Sequence, residues 1–164
     1  MKRNRVIVAV FFVMLTVSQL WAHCEIPCGI YNDKARIVLI LEHITTIEKA
    51  MNQINTLSAE GDKNYNQLIR WVVNKEEHAT ELQHIVTQYF MTQRIKLPDF
   101  NDAAAAKKYN DQLAALHTML VHAMKAKQTT DQVHIDTLRK TVDSFVKLYF
   151  SEEDQKHLME HHQM

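Results

Sequence analysis

Beyond Tyr31 the chain holds a single glycine, Gly61, and a single proline, Pro98. A β fold breaks direction every few residues and draws on Gly and Pro to do so, so this scarcity argues for long helices. The apolar residues agree. Ile37, Leu41, Ile44, Ile47, Met51 and Ile54 recur at threes and fours, and Leu68, Val72, Leu82, Ile85 and Tyr89 keep the same period, with Glu76 and Ala79 thinning the stripe between them. A third run is Leu113, Leu116, Leu120 and Met124, and a fourth is Ile135, Leu138, Val142, Phe145 and Tyr149. Met51, Met119 and Met124 are assigned to the core, and Tyr65, Trp71 and Tyr109 to packing roles with polar tips at water or a partner.

Polar stretches separate the runs: "SAEGDKN" at 58–64, "IKLPDFND" at 95–102 and "KQTTDQ" at 127–132. Four helices joined by short connections pack most economically as an all-α, up-and-down antiparallel four-helix bundle, here over residues 32–150. "SEEDQKHLMEHH" opens on a Ser cap followed by acids, which predicts a turn or two of helix within a polar, His-containing tail at 151–164. The runs "KEEHATE" and "SEEDQK" read as solvated faces. No Gly-rich phosphate loop is present and no serine sits in a nucleophile elbow. Any chemistry must come from elsewhere.

The N-terminal residues have another character. Lys2, Arg3 and Arg5 precede the apolar run "VIVAVFFVML" (6–15), and "LWA" ends the segment on the small residue Ala22. This is the pattern of a cleaved signal peptide over 1–22. Its ten apolar residues are too few to span a bilayer, so no membrane attachment is expected after processing. Export to the periplasm or the extracellular space is. Removing 22 of the 164 residues would leave 142, enough for one domain with its own core. Three basic residues would leave with the leader while all 19 acidic ones stay, which turns a formal charge of zero into −3. Such a balance gives no footprint for nucleic acid.

Both cysteines lie just past the expected cut, in "HCEIPCGIY", residues 23–31. Outside the cytoplasm, two nearby thiols ordinarily pair, so a small Cys24–Cys28 disulfide loop is one reading. Cleavage after Ala22 opens another. It frees the α-amine of His23, which can close a chelate ring with the amide nitrogen of Cys24; the Cys24 thiolate closes a second ring, and Cys28 adds another thiolate. Two nitrogens and two sulfurs then share a plane, with the His23 imidazole available as a fifth, axial donor. Planar sites of this kind favour nickel(II) or copper(II). Their formation requires deprotonated donors and would order the segment. Pro27 lets the chain turn back at little cost, and Gly29 tolerates backbone angles closed to other residues.

At these residues the sequence resembles the nickel-containing superoxide dismutases, whose mature chains begin His-Cys-x-x-Pro-Cys-Gly-x-Tyr; "HCEIPCGIY" matches every fixed position. The resemblance implies a four-helix bundle behind an N-terminal metal-binding hook at 23–31, with one nickel ion per chain. His23 would give its amine and, in the oxidised state, its imidazole; Cys24 would give backbone nitrogen and sulfur, and Cys28 sulfur. Tyr31 would stand near the open axial face, ordering water and limiting what approaches. The implied reaction converts superoxide to dioxygen and hydrogen peroxide as nickel alternates between +2 and +3, in a homohexamer.

One departure stands out. Better-known members hold the His imidazole with a glutamate on the first helix and an arginine on the second, where this chain carries Val38 or Leu39 and His78. Another arrangement, involving His78 or Glu42, is expected to orient His23. Tyr89, in "TQYF", is by analogy a second tyrosine near the site or else a core residue. His43, His84, His117, His122 and His134 read as structural, and His157, His161 and His162 as a weak, adventitious metal-binding group. Two other readings remain: an extracytoplasmic copper or nickel carrier or sensor that uses the Cys-x-x-x-Cys pair alone, and a helical interaction protein with a disulfide loop.

Overall fold

Helix α1, Asp33–Ala59, starts where Asn32 leaves helical angles and its side chain accepts a 3.1 Å hydrogen bond from the Ala35 amide. Such a cap satisfies one of the amides that a helix start leaves without a partner. The same helix stops at Gly61, whose φ of +74° is open to glycine at little cost. Helix α2, Tyr65–His84, continues without a break into a π-helical stretch, Ile85–Arg94. Helix α3, Ala103–Gln128, is capped by Asp102, whose carboxylate accepts from the amides of Ala104 and Ala105. Helix α4 is Val133–Tyr149, and the short α5, Glu152–Glu160, has Ser151 accepting from the Asp154 amide at 3.2 Å. These bounds come from a computed structural model that describes residues 29–61 and 63–160, with side chains through Lys156.

Two compact units divide the chain, Met1–Tyr31 and Asn32–Met164. Of the first, only Gly29, Ile30 and Tyr31 are among the described residues. The expected signal segment and the proposed ligands His23, Cys24 and Cys28 lie outside them, as do His161 and His162.

Within the second unit α1 lies against α2 and α4, and α3 against the same two helices. This is the square of an up-and-down four-helix bundle, and the described residues include no strand. No helix among them is long and apolar enough to cross a membrane. Helix α1, at 27 residues, runs about 40 Å, so the connections sit at the two ends of the bundle.

The core differs in phase from the expected stripes at several points. In α1 the large buried residues are Ile37, Ile40, Ile44, Ile47 and Met51, with Leu41 only partly buried beside them. Their alternating spacing of three and four follows a single seam, and Leu41 flanks it. In α3 the buried apolar residues are Leu116, Met119, Ala123 and Ala126, which leaves Met124 44% exposed rather than in the core. Small alanines let the helices approach there, and Met124, one residue on, turns away by about 100°. Val72 is likewise 38% exposed, whereas Lys75, from a run expected to face solvent, is 4% exposed. Its ammonium donates to the carbonyls of Ala126 at 2.8 Å, Lys127 at 2.6 Å and Thr129 at 3.0 Å. Three acceptors for three N–H donors satisfy the buried cation and close the C-terminal end of α3, where helix carbonyls lack partners.

Candidate functional site

The described part of the N-terminal segment is short but informative. Gly29 sits at φ +81°, in the left-handed region that the sequence reading reserved for it after Cys28. A side chain added at Gly29 would meet nothing within 4 Å, so the requirement for glycine is one of backbone angle and not of space. Ile30 and Tyr31 are both exposed.

Two residues after Tyr31, four donors converge on the carboxylate of Asp33, the first residue of α1. Oδ1 accepts from the Tyr89 hydroxyl at 2.7 Å and from Arg94 Nε at 2.8 Å. Oδ2 accepts from Arg94 Nη2 at 2.7 Å and from the Tyr149 hydroxyl at 2.8 Å. The Arg94 contact is the two-pronged fork that matches a carboxylate best. The main chain of Asn32 also hydrogen-bonds the Tyr89 hydroxyl, and the Arg36 guanidinium lies 5.0 Å from the centre of the Tyr89 ring. Beneath the polar groups Phe90 meets Phe145 and Tyr149 edge-on, at 5.2 and 5.7 Å between ring centres. Three helix ends are thereby tied to one anion: the start of α1, the end of α2 and the end of α4.

The π-helical stretch makes this convergence possible. Tyr89 and Arg94 are five residues apart, and in an α-helix of about 3.6 residues per turn they would point about 140° away from each other. In a π-helix, whose hydrogen bonds close on the fifth residue, such a pair comes round to the same side. Side chains reinforce the wide turns: Thr92 Oγ1 donates to the Thr87 carbonyl and Gln93 Nε2 to the Gln88 carbonyl, each across five residues and at 2.8 Å.

Electrostatics keep the cluster in one charge state. Burial acts to raise the Asp33 carboxyl, but hydrogen bonds from Arg94, Tyr89 and Tyr149 outweigh it and hold the pKa below the usual 3.8. Burial and the bond to Asp33 push the Tyr89 hydroxyl up to about 12, and the same causes raise Tyr149 further. At neutral pH the carboxylate is ionised and both phenols keep their protons. Tyr89, read from sequence as a second tyrosine near the site or a core residue, is 4% exposed and donates its hydroxyl to Asp33, two residues after Tyr31.

Farther along the bundle, two histidine pairs bridge neighbouring helices. His43 and His78 face each other at 2.8 Å between Nδ1 atoms, and His122 and His134 at 3.3 Å. The structural role expected of His43, His122 and His134 is the one observed. His78, singled out as a candidate to orient His23, has a partner in His43; His23 itself is outside the described residues. No group of three or more metal-ligating side chains occurs among the described residues. Neither Asp33 nor Arg94 was recognised from sequence. "ND" before an apolar run signals only a helix cap, and nothing local links it to an arginine 61 residues on.

A family model described as nickel-containing superoxide dismutase matches residues 18–153, a span that includes "HCEIPCGIY" and all four long helices. The chain belongs to the nickel-containing superoxide dismutases. No match was found among curated proteins or among solved structures. As a member of this family the protein is an oxidoreductase, its cofactor is nickel and its substrate is superoxide. In this nickel superoxide dismutase the described residues supply the bundle and the anchored start of α1.

Proposed function

We propose that the nickel is held by the processed N-terminus, with His23, Cys24 and Cys28 as ligands, in a protein exported to the periplasm or the extracellular space after loss of residues 1–22. The observation that carries this reading is the nine-residue stretch "HCEIPCGIY", which starts directly after a plausible cleavage point and lies within the matched span. The donor set fits the metal by its chemistry. Two thiolates, an amide nitrogen and an amine would be strongly electron-donating, and such donors suit a borderline metal far better than magnesium or calcium.

Each residue has a definite task. His23 contributes its α-amine, which exists only once the bond to Ala22 is cut, and its imidazole. Cys24 gives its deprotonated amide and its sulfur, and Cys28 its sulfur; all must lose protons on loading, so nickel uptake is favoured as pH rises. Bound there, nickel supplies one-electron exchange with superoxide, between the +2 and +3 states. Two superoxide anions and two protons give one dioxygen and one hydrogen peroxide, so the site needs proton delivery as well as access. Tyr31 holds ordered water near the open side of the hook with its hydroxyl and restricts approach to small species. Superoxide is small and anionic, so a guarded entrance serves in place of a shaped pocket. The assembled enzyme is a homohexamer, with one nickel per chain.

Intact mass and metal analysis of the protein purified from the exported fraction test the proposal together. The expected mass is that of a chain starting at His23, with reduced cysteines and one nickel per chain. A chain starting elsewhere, or one with a Cys24–Cys28 disulfide in the active protein, contradicts it.

A further inference from the structure

We infer that Asp33 is a positioning residue for the nickel hook: its carboxylate pins the first residue of α1 to the ends of α2 and α4, so the segment carrying His23, Cys24 and Cys28 leaves the bundle from a fixed root. This rests on the assignment of the hook ligands made above. Four residues separate Cys28 from Asp33 in the chain.

Three observations support it. The first is excess. Asn32 already caps α1 through the Ala35 amide, so the helix needs no further device to begin. Yet Asp33 takes four hydrogen bonds from side chains that are 56, 61 and 116 residues away in sequence. The second is cost. The Arg94 and Asp33 side chains are 24% and 16% exposed, and an ion pair that far out of water adds little to stability compared with apolar residues of the same volume. What such a cluster supplies is a unique position, and the position fixed here is that of the hook's attachment. The third is the backbone of α2, which adopts ten residues of π-helix and thereby stacks Tyr89 and Arg94 toward the same carboxylate.

A chelate that must assemble from an amine, an amide and two thiolates on a short segment loses less entropy on binding when the far end of that segment is already held. Asp33 does not touch the metal in this scheme; it acts through the main chain of Asn32 and Tyr31.

The test measures nickel affinity by chelator competition on the mature full-length chain, alongside urea unfolding of the metal-free protein. Asp33→Asn removes the charge and one acceptor oxygen; its nickel affinity is expected to fall by about tenfold, the equivalent of ordering about one residue of backbone. Tyr149→Phe keeps the Arg94 fork and is expected to lose about threefold, which keeps the idea testable should Asp33→Asn fail to fold. Leu138→Ala, in the buried middle of α4 and 11 residues before Tyr149, destabilises the bundle away from the root and should leave nickel affinity unchanged. Equal affinity in wild type and in both cluster variants overturns the inference, as does an equal loss in Leu138→Ala. Cys28→Ser separates this from the assignment beneath it: if that variant keeps nickel at wild-type affinity, the ligand set is wrong, whatever Asp33 does.

Discussion

Replacing Lys75 with methionine asks whether a buried cation holds α3 to α2 or merely survives there. Methionine keeps the length and the apolar packing of the stem and deletes three donors. Each hydrogen bond to a charged group is worth about 1.5–3 kcal/mol, but the three are unequal. Lys127 and Thr129 lie at the margin, and their carbonyls regain water once the ammonium is gone; the bond to Ala126 is fully buried. The variant therefore orphans one buried carbonyl, at about 1–3 kcal/mol, and loses a positive charge at a helix C-terminus, at about 0.3–1 kcal/mol. Against this stands relief of the ammonium's desolvation, the same burial that pulls the Lys75 pKa down. The two losses together come to about 1.3–4 kcal/mol, and with that relief set against them the net expectation is a loss of about 1–3 kcal/mol. In urea unfolding of the metal-free mature chain, with a slope of about 2 kcal/mol per molar, the midpoint falls by about 0.5–1.5 M with no change in slope. Hydrogen exchange adds a local readout: the Thr129 amide, bonded to the Lys125 carbonyl at 3.1 Å, should lose protection. A variant as stable as wild type, or more so, would show that desolvation outweighs the three bonds and that the reasoning is wrong.

Other expectations follow from the Asp33 cluster and the hook. The Asp33 pKa is depressed below 3.8, so its contribution is complete above that value and drains away as pH falls through the folded-state pKa; stability measured against pH below about 4 should decline less steeply in Asp33→Asn than in wild type. Tyr89 is raised from 10.0 to about 12, so its share of stability is complete below pH 10 and is lost as pH climbs toward 12. Alkaline titration of tyrosine absorbance should show a late-ionising fraction that vanishes in the Tyr89→Phe, Tyr149→Phe double variant. Gly29→Ala, at φ +81° with open space around it, imposes about 1–2 kcal/mol of backbone strain. Its nickel affinity should drop, and Gly29→Asn, which tolerates the left-handed region better, should recover part of the loss.

How much of this was legible in the sequence depends on whether the signal is local. The long helices were, because one glycine and one proline beyond Tyr31 leave few places to turn. The expected breaks coincide with the connections at 60–64, 95–102 and 129–132. The family was the most legible of all, since the residues that signal it, "HCEIPCGIY", are consecutive. What escaped was set by tertiary partners. Lys75 reads as a surface residue until the α3 carbonyls are placed around it, and Asp33 reads as a helix cap until Arg94 and Tyr149 arrive from other helices. The π-helical stretch adds a further obstacle: a period of 3.6 extended from Leu68 to Tyr89 runs across a change of winding at Ile85. Val72 and Met124 misled for a simpler reason, for their hydrophobicity outweighed that of the smaller alanines that occupy the seam.

The central claim is that nickel depends on a nitrogen freed at residue 23, and adding one residue ahead of His23 tests it most directly. That chain keeps both thiols, the imidazole and the whole bundle, and it turns the amine into an amide. Nickel per chain and superoxide dismutation should both collapse, with helicity and the unfolding midpoint of the metal-free protein unchanged. Full nickel and full activity in the extended chain would contradict the account at its root.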